Sequence, residues 1–287
     1  MKICVIGGAN LDITATSNAP FRPEDSNPGR VRTSFGGVGR NIAHNLSLLG
    51  HQIAFITIFG DDLFGKSIAE SCRTLGMDIS ACQTGENAPN PCFASINDSD
   101  GRMIGGIADM DTTNLITPDW LSQRKAKINE ADIVVAEANL QPQTIAWLMD
   151  NCKAPLYLDA VSGPKSKRIA QAFEMAAHPR FHSIKYNRLE EQSLSHLQHH
   201  GRHFISLGKD GLKVIDNQGK TQTFPAYPIA AEKIKNMSGA GDALFAGIIH
   251  NGPNSPVEEA SKFGLRCAAL TLESPEAVNP ELKTLSL

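Results

Sequence analysis

Short apolar runs of strand length alternate with helical patterns along most of the chain, and this alternation restricts the fold more than any other feature. The strand-length runs are Ile3–Ile6, Ile53–Ile58, Ile133–Ala136, Leu156–Asp159 and Phe204–Leu207. Between them, Ile42, Ala43, Leu46 and Leu49 share one face of a helix that begins at Asn41 and stops at Gly50. Phe64, Ile68, Cys72 and Leu75 do the same in a helix that stops at Gly76, and Ala243–Ile249 and Val257–Leu272 read as two more. Strands that alternate with helices build a mostly parallel sheet, which must be covered on both faces. The expected class is therefore α/β, a mostly parallel sheet flanked by helices, organised as a single domain over residues 1–287.

Two stretches break the alternation. Residues 13–35 are polar and contain proline, with no helical period. Cys92–Ile96 and Arg102–Ile104 flank Asn97-Asp98-Ser99-Asp100-Gly101, in which Asp100-Gly101 is a hairpin signal. Together these stretches, about 13–35 and 91–108, predict a small β-sheet that projects from the domain as a lid.

Bulk properties narrow the function. The 27 Lys+Arg against 30 Asp+Glu leave a net charge of −3, so no basic field exists to hold nucleic acid. No apolar run approaches the roughly 20 residues of a membrane span. The opening Met1-Lys2-Ile3-Cys4-Val5-Ile6 reads as a first strand and not a signal peptide. The six cysteines are scattered without a CxxC pair, as expected for reduced thiols in a cytoplasmic protein.

The sharpest local feature is Asn236-Met237-Ser238-Gly239-Ala240-Gly241-Asp242-Ala243, where small residues lead into an apolar helix. Glycines at 239 and 241 let backbone N–H groups converge at a helix N-terminus, where unpaired donors and the helix dipole stabilise negative charge. Asp242, in the first turn, stands beside that anion hole of Gly239, Ala240 and Gly241 and can accept the proton of an attacking hydroxyl. An isolated Gly-x-Gly-Asp is more often a tight loop whose aspartate stabilises the helix start. The run is no P-loop, because the Gly-Lys-Ser/Thr ending is missing. A second segment, Phe35-Gly36-Gly37-Val38-Gly39-Arg40-Asn41-Ile42-Ala43, also enters a helix through glycines. It follows a polar stretch and has Ile42 where a dinucleotide fingerprint needs glycine, so that reading is weak.

Taken together, the two glycine segments resemble the N- and C-terminal signatures of the ribokinase-like (phosphofructokinase B) family of sugar kinases. Asn10-Leu11-Asp12, Asn187-Arg188-Leu189-Glu190 and Leu207-Gly208-Lys209-Asp210-Gly211 are similar to its intervening landmarks. The resemblance implies an ATP-dependent phosphotransferase with Asp242 as catalytic base. It implies that Asp12, Gly36, Gly37, Asn41 and Asn139 bind the sugar, and that Asn187, Ser206, Gly208 and Gly211 bind the nucleotide. Glu190, with Asn187, would hold Mg²⁺ through water. A homodimer is implied as well, because lids in relatives often meet a second subunit.

Within the family, Asp25-Ser26-Asn27-Pro28-Gly29, Gly36 through Ala43 with Arg40, Asp109-Met110, Ala138-Asn139-Leu140, Asp159-Ala160-Val161-Ser162 and Asn279-Pro280 resemble bacterial pseudouridine kinases. These imply phosphorylation of the ribose 5′-hydroxyl of pseudouridine. A family kinase for another nucleoside or a furanose sugar is the alternative, and a non-catalytic binding protein on the same fold is a third, disfavoured by the intact Gly-Ala-Gly-Asp.

Three departures stand out. Asn236-Met237-Ser238 replaces the family's Asp-Thr-Thr, and losing that carboxylate weakens any monovalent-cation site there. Tyr186 replaces the proline of Lys-Pro-Asn. The segment 192–203 is shorter than in relatives by about one helix and its loop. Its His196, His199, His200 and His203 are expected in a solvated loop, with sheet surface uncovered nearby.

Overall fold

The computed structural model describes residues 1–285. β1 (Lys2–Ile6) is apolar after its first residue, and Ile3, Cys4, Val5 and Ile6 are all buried, as a strand covered on both faces must be. It is followed by β2 (Asn10–Ser17), β3 (Gly29–Gly36), α1 (Val38–Leu48), β4 (Gln52–Ile56), β5 (Ile58–Phe59), α2 (Leu63–Thr74), β6 (Gln83–Thr84), β7 (Cys92–Asn97) and β8 (Met103–Asp109). Next come α3 (Pro118–Ser122), α4 (Lys125–Ile128), β9 (Ile133–Glu137), α5 (Pro142–Asn151), β10 (Leu156–Asp159), α6 (Gly163–Met175), β11 (Ser183–Asn187) and α7 (Arg188–Leu194). The chain closes with β12 (Arg202–Ser206), β13 (Leu212–Ile215), β14 (Thr221–Phe224), α8 (Ala240–His250) and α9 (Val257–Leu272).

The large sheet has eight strands in the order β14-β13-β12-β11-β10-β9-β1-β4. Neighbours from β4 to β12 are parallel, and β13 and β14 complete one edge antiparallel. Successive side chains of β1 point to opposite faces. Cys4 and Ile6 join the core under α5 and α6, while Ile3 and Val5 join the core under α1, α2, α8 and α9. The α/β class is as expected. The run Ile53–Ile58 is divided at Thr57 into β4 and β5, and α1 starts at Val38, ahead of Asn41.

The irregular stretches form a second sheet in the order β3-β2-β7-β8, with β2 parallel to β7 and the other pairs antiparallel. Asp98 ties its two halves together, because its Oδ1 accepts the Phe21 N–H at 2.9 Å. Gly101 turns the β7–β8 hairpin at φ 82°. The second sheet is the one expected from these stretches, and its strand β3 leads into the Gly36-Gly37 pair, where the sequence showed a polar stretch and no clear strand. β3 hid itself because five of its eight residues are exposed, so it lacks the apolar alternation of a half-buried strand.

The solvated-loop expectation for 192–203 needs correction at His203. It lies in β12 and is fully buried. His203 Nε2 donates to the carbonyls of Leu197 (3.0 Å) and His200 (2.9 Å), and Nδ1 accepts from the Tyr186 hydroxyl at 3.1 Å. Leu194 and Leu197 are buried as well, so the shortened segment still covers its part of the sheet.

Candidate active site

The two glycine-entered helices meet. Gly37 (φ 99°) opens α1 and Gly239 (φ 78°) opens α8, both in backbone conformations that suit glycine. Asn41 in the first turn of α1 then donates from Nδ2 to Asp242 Oδ2 at 2.9 Å, across 201 residues of chain. Both side chains are buried, and Asn41 Oδ1 has no protein partner, leaving an acceptor free beside the carboxylate. Burial drives the Asp242 carboxyl well above the usual carboxylate range; nearby Lys185 and the Asn41 N–H pull against it. Such a group can take a proton near neutral pH. The first-turn N–H groups of α8, the turn that carries Asp242, have no helical partners.

Asp12 lies on β2 and accepts from Asn10 Nδ2 at 2.6 Å. Its carboxylate fills the place where a side chain on Gly36 would stand, so Gly36 cannot be replaced without moving Asp12. Burial raises the Asp12 carboxyl, opposed by Asn10. Arg40 Nη1 donates to the Phe35 carbonyl at 2.9 Å and fixes the turn between β3 and α1. Asn139, just past β9, gives its N–H to Glu137 Oε2 at 2.5 Å, and its side chain accepts from Lys165 Nζ.

Sequence reasoning gave no role to Lys185, Asp159 or Glu137. Lys185 Nζ lies 3.0 Å from Asp159 Oδ2, and a Cβ added to Gly241 would stand 2.9 Å from that ammonium. The lysine therefore presses against the anion-hole turn. Burial pulls its pKa down, but Asp159, Asp242 and Glu190 together outweigh that and raise it. Glu137 is wholly buried and also accepts the Gly8 N–H at 2.6 Å, which joins the ends of β1 and β9. A signal was present in the sequence. Glu137 and Asp159 each end an otherwise apolar strand at its carboxyl end, and Lys185 stands mid-strand in β11, places where charges rarely stand unless they are used.

On the opposite side, Asn187 and Ser206 are register partners at the ends of β11 and β12. Asn187 and Glu190 form a capping box: Glu190 accepts the Asn187 N–H (2.8 Å) and its Nδ2 (2.7 Å). Both Glu190 oxygens are engaged, yet each keeps a lone pair for a water. Among the described residues no three His, Cys, Asp or Glu converge at metal-holding distance. That donor set fits Mg²⁺, which keeps most of its waters and takes further ligands from phosphates. Gly208 (φ 62°) faces open space, whereas at Gly211 (φ 98°) the Phe224 carbonyl leaves no room for a side chain. Gly211 is thus required by the β12–β13 turn itself.

A cavity of about 730 Å³ opens between the small sheet and the loop before α8, lined by Asp12, Ser34 and Phe93 on one side and Asn236 and Ser238 on the other. A more apolar groove of about 560 Å³ lies between Phe224–Pro228 and the start of α9, where none of these groups reaches. Of the candidate substrate-binding groups, Asp12 lines the former, which makes that cavity the candidate entrance to the site.

The model of the pfkB family of carbohydrate kinases matches residues 1–285. The chain is 31% identical to the pseudouridine kinase of Escherichia coli, over 98% of this chain and 93% of that one. It is 25% identical to the guanosine-inosine kinase of Exiguobacterium acetylicum, covering 96% and 95%. A carbohydrate kinase from Agrobacterium tumefaciens superimposes with a TM-score of 0.82 at 27% identity, over 99% of this chain and 94% of that one.

Proposed function

This chain belongs to the pfkB family of carbohydrate kinases, a phosphotransferase with an alcohol acceptor, and from that membership we propose that it moves the γ-phosphoryl group of ATP to the ribose 5′-hydroxyl of pseudouridine. The observation that carries the chemistry is the Asn41–Asp242 contact beside the glycine turn. Asp242 takes the proton of the 5′-hydroxyl, and the free N–H groups of Gly239, Ala240 and Gly241 receive the charge that develops on the transferred phosphoryl. Lys185 adds a fixed positive charge behind Gly241. Asp12, Asn41 and Asn139 hold the ribose hydroxyls, while Gly36 and Gly37 let the backbone approach them. Asn187, Ser206, Gly208 and Gly211 border the nucleotide. Mg²⁺, when bound near Glu190 and Asn187 through water, neutralises phosphate charge.

The small sheet acts as a lid that excludes water from the transfer. Val31, Ile96, Ile104 and Ile107 leave apolar surface on that sheet, which suits a homodimer formed lid to lid. Residues 1–287 work as one domain, in the cytoplasm.

Pseudouridine is favoured by the match to the Escherichia coli enzyme. Its base carries an extra N–H where uridine has a C–H, and a buried acceptor there discriminates by about 1–3 kcal/mol. The match to a guanosine-inosine kinase keeps a second reading, another nucleoside or a furanose sugar. Measuring kcat/KM with ATP for pseudouridine, uridine, inosine and ribose decides between them. Pseudouridine should lead by roughly tenfold or more; a lead by any other acceptor removes the pseudouridine assignment and leaves the kinase.

A further inference from the structure

The family resemblance brings with it a monovalent-cation site beside the anion-hole loop, and the residues present do not fit one. A cation there needs oxygen ligands, with a carboxylate to balance its charge. Asn236 offers no charge, and both ends of its amide are in use. Asn236 Nδ2 donates to the Pro275 carbonyl at 3.0 Å, and Oδ1 accepts the Ser238 N–H at 2.9 Å. The positive end of the amide dipole therefore points at an oxygen that a cation would have to claim.

The surrounding backbone continues the same link. Lys235 N–H donates to the Leu272 carbonyl at 2.8 Å, and Asn236 N–H approaches that oxygen at 3.5 Å. Gly239 packs on the Ala277 carbonyl so closely that a Cβ would overlap it. The loop before α8 is thus laid directly on the segment after α9, by amide donors and a bare glycine. Those contacts hold the turn whose N–H groups form the anion hole.

We propose that the Asn236 side chain stands in for a monovalent cation, bracing residues 236–241 against 272–277, and that this chain folds and transfers phosphoryl groups independently of K⁺ and Na⁺. The rate half of the proposal rests on the kinase reading; the brace does not. Replacing the amide by a carboxylate would set two oxygens against each other, a repulsion that a cation between them would relieve. Asn236→Asp should therefore acquire the ion dependence that the wild type lacks.

The test compares KCl, NaCl and choline chloride at equal ionic strength, so that general screening cancels. Melting temperature is read on wild type, Asn236→Asp and Asn236→Ala, and the initial rate of ADP formation with pseudouridine on wild type. The wild type should melt at one temperature in all three salts and show rates within about twofold. Asn236→Asp should melt lower in choline chloride and recover in KCl, whereas Asn236→Ala should melt lower in every salt. A wild type that is stabilised or accelerated more than about threefold by KCl over choline chloride overturns the proposal. So does an Asn236→Asp protein indifferent to the salt. If Asn236→Asp does not fold in any salt, the wild-type comparison decides alone. If no rate is found with pseudouridine, the melting curves still decide the brace, and only the substrate reading is lost.

Discussion

The strands β9, β10 and β11 with their buried charges and the small sheet of β2, β3, β7 and β8 supply the two halves of the candidate site, and they are built in opposite ways. Glu137 and Asp159 at the ends of β9 and β10 are fully buried and Lys185 within β11 is only 8% exposed, each held by a defined partner. In the small sheet, β8 is exposed at every residue and Ile107 is 75% exposed. Buried charges with fixed partners cannot reorganise cheaply, so they suit groups that must be in place before the reaction. An exposed, thinly packed sheet opens at little cost, so it suits a part that must move or meet another surface. On the proposed reading, rigid chemistry and mobile cover are thereby separated in one chain.

The comparison breaks most visibly at Lys185. Lys185→Met leaves Asp159 buried without its cation and should cost about 3 kcal/mol or more of stability, read as a lower urea midpoint. Restoring neutrality with Asp159→Asn in the same chain should recover part of that loss. An unchanged midpoint in Lys185→Met would mean that the buried pair holds nothing together.

Asp242→Asn keeps the shape but removes the proton acceptor, so kcat should fall by about a hundredfold or more while the nucleoside KM changes little. Near-normal turnover would remove Asp242 from the role of base. Because burial raises the Asp242 carboxyl, the acid limb of the kcat profile should lie well above about pH 4, with activity lost as pH falls through it. Asn41→Ala deletes a donor to the carboxylate and should move that limb to still higher pH.

A smaller effect is expected at Asp12, which the proposed reading puts against the sugar. Asp12→Asn should raise the KM for nucleoside by about tenfold and leave the KM for ATP unchanged. A change confined to ATP would put Asp12 on the wrong side of the site. The least effect belongs to the small sheet: Ile107→Ser should alter stability by no more than about 0.5 kcal/mol. Hydrogen exchange in residues 13–35 and 91–108 should nevertheless slow when nucleoside binds. Equal protection with and without ligand would show that the small sheet is no lid.

Legibility in the sequence followed periodicity. β1, β9 and β10, along with α2 and α9, could be read because each carries a run or stripe of buried apolar residues. β3 could not, because a mostly wet strand leaves no such stripe. His203 was misread for a related reason. In a run of histidines it looked polar, yet its ring satisfies both nitrogens inside the core through Tyr186, Leu197 and His200. Glu137 was visible as a charge ending an apolar strand and Lys185 as a charge within a strand, but nothing along the chain announced their partners.

The sequence by itself determined the α/β class and the two glycine-entered helices, since each follows from local spacing and from residue types that only certain backbones accept; the choice of Asp242 as candidate base came from the resemblance of the paired glycine segments to a family. The tertiary structure alone decided that Asn41 holds Asp242, that Lys185 neutralises Asp159 behind Gly241, and that Asn236, at the position where the sequence had already weakened an ion site, reaches Pro275. Those are contacts between segments far apart in the chain. A hydrogen bond or ion pair acts over about 3 Å and leaves no periodic trace in sequence, so it becomes readable only when the fold has set the distance.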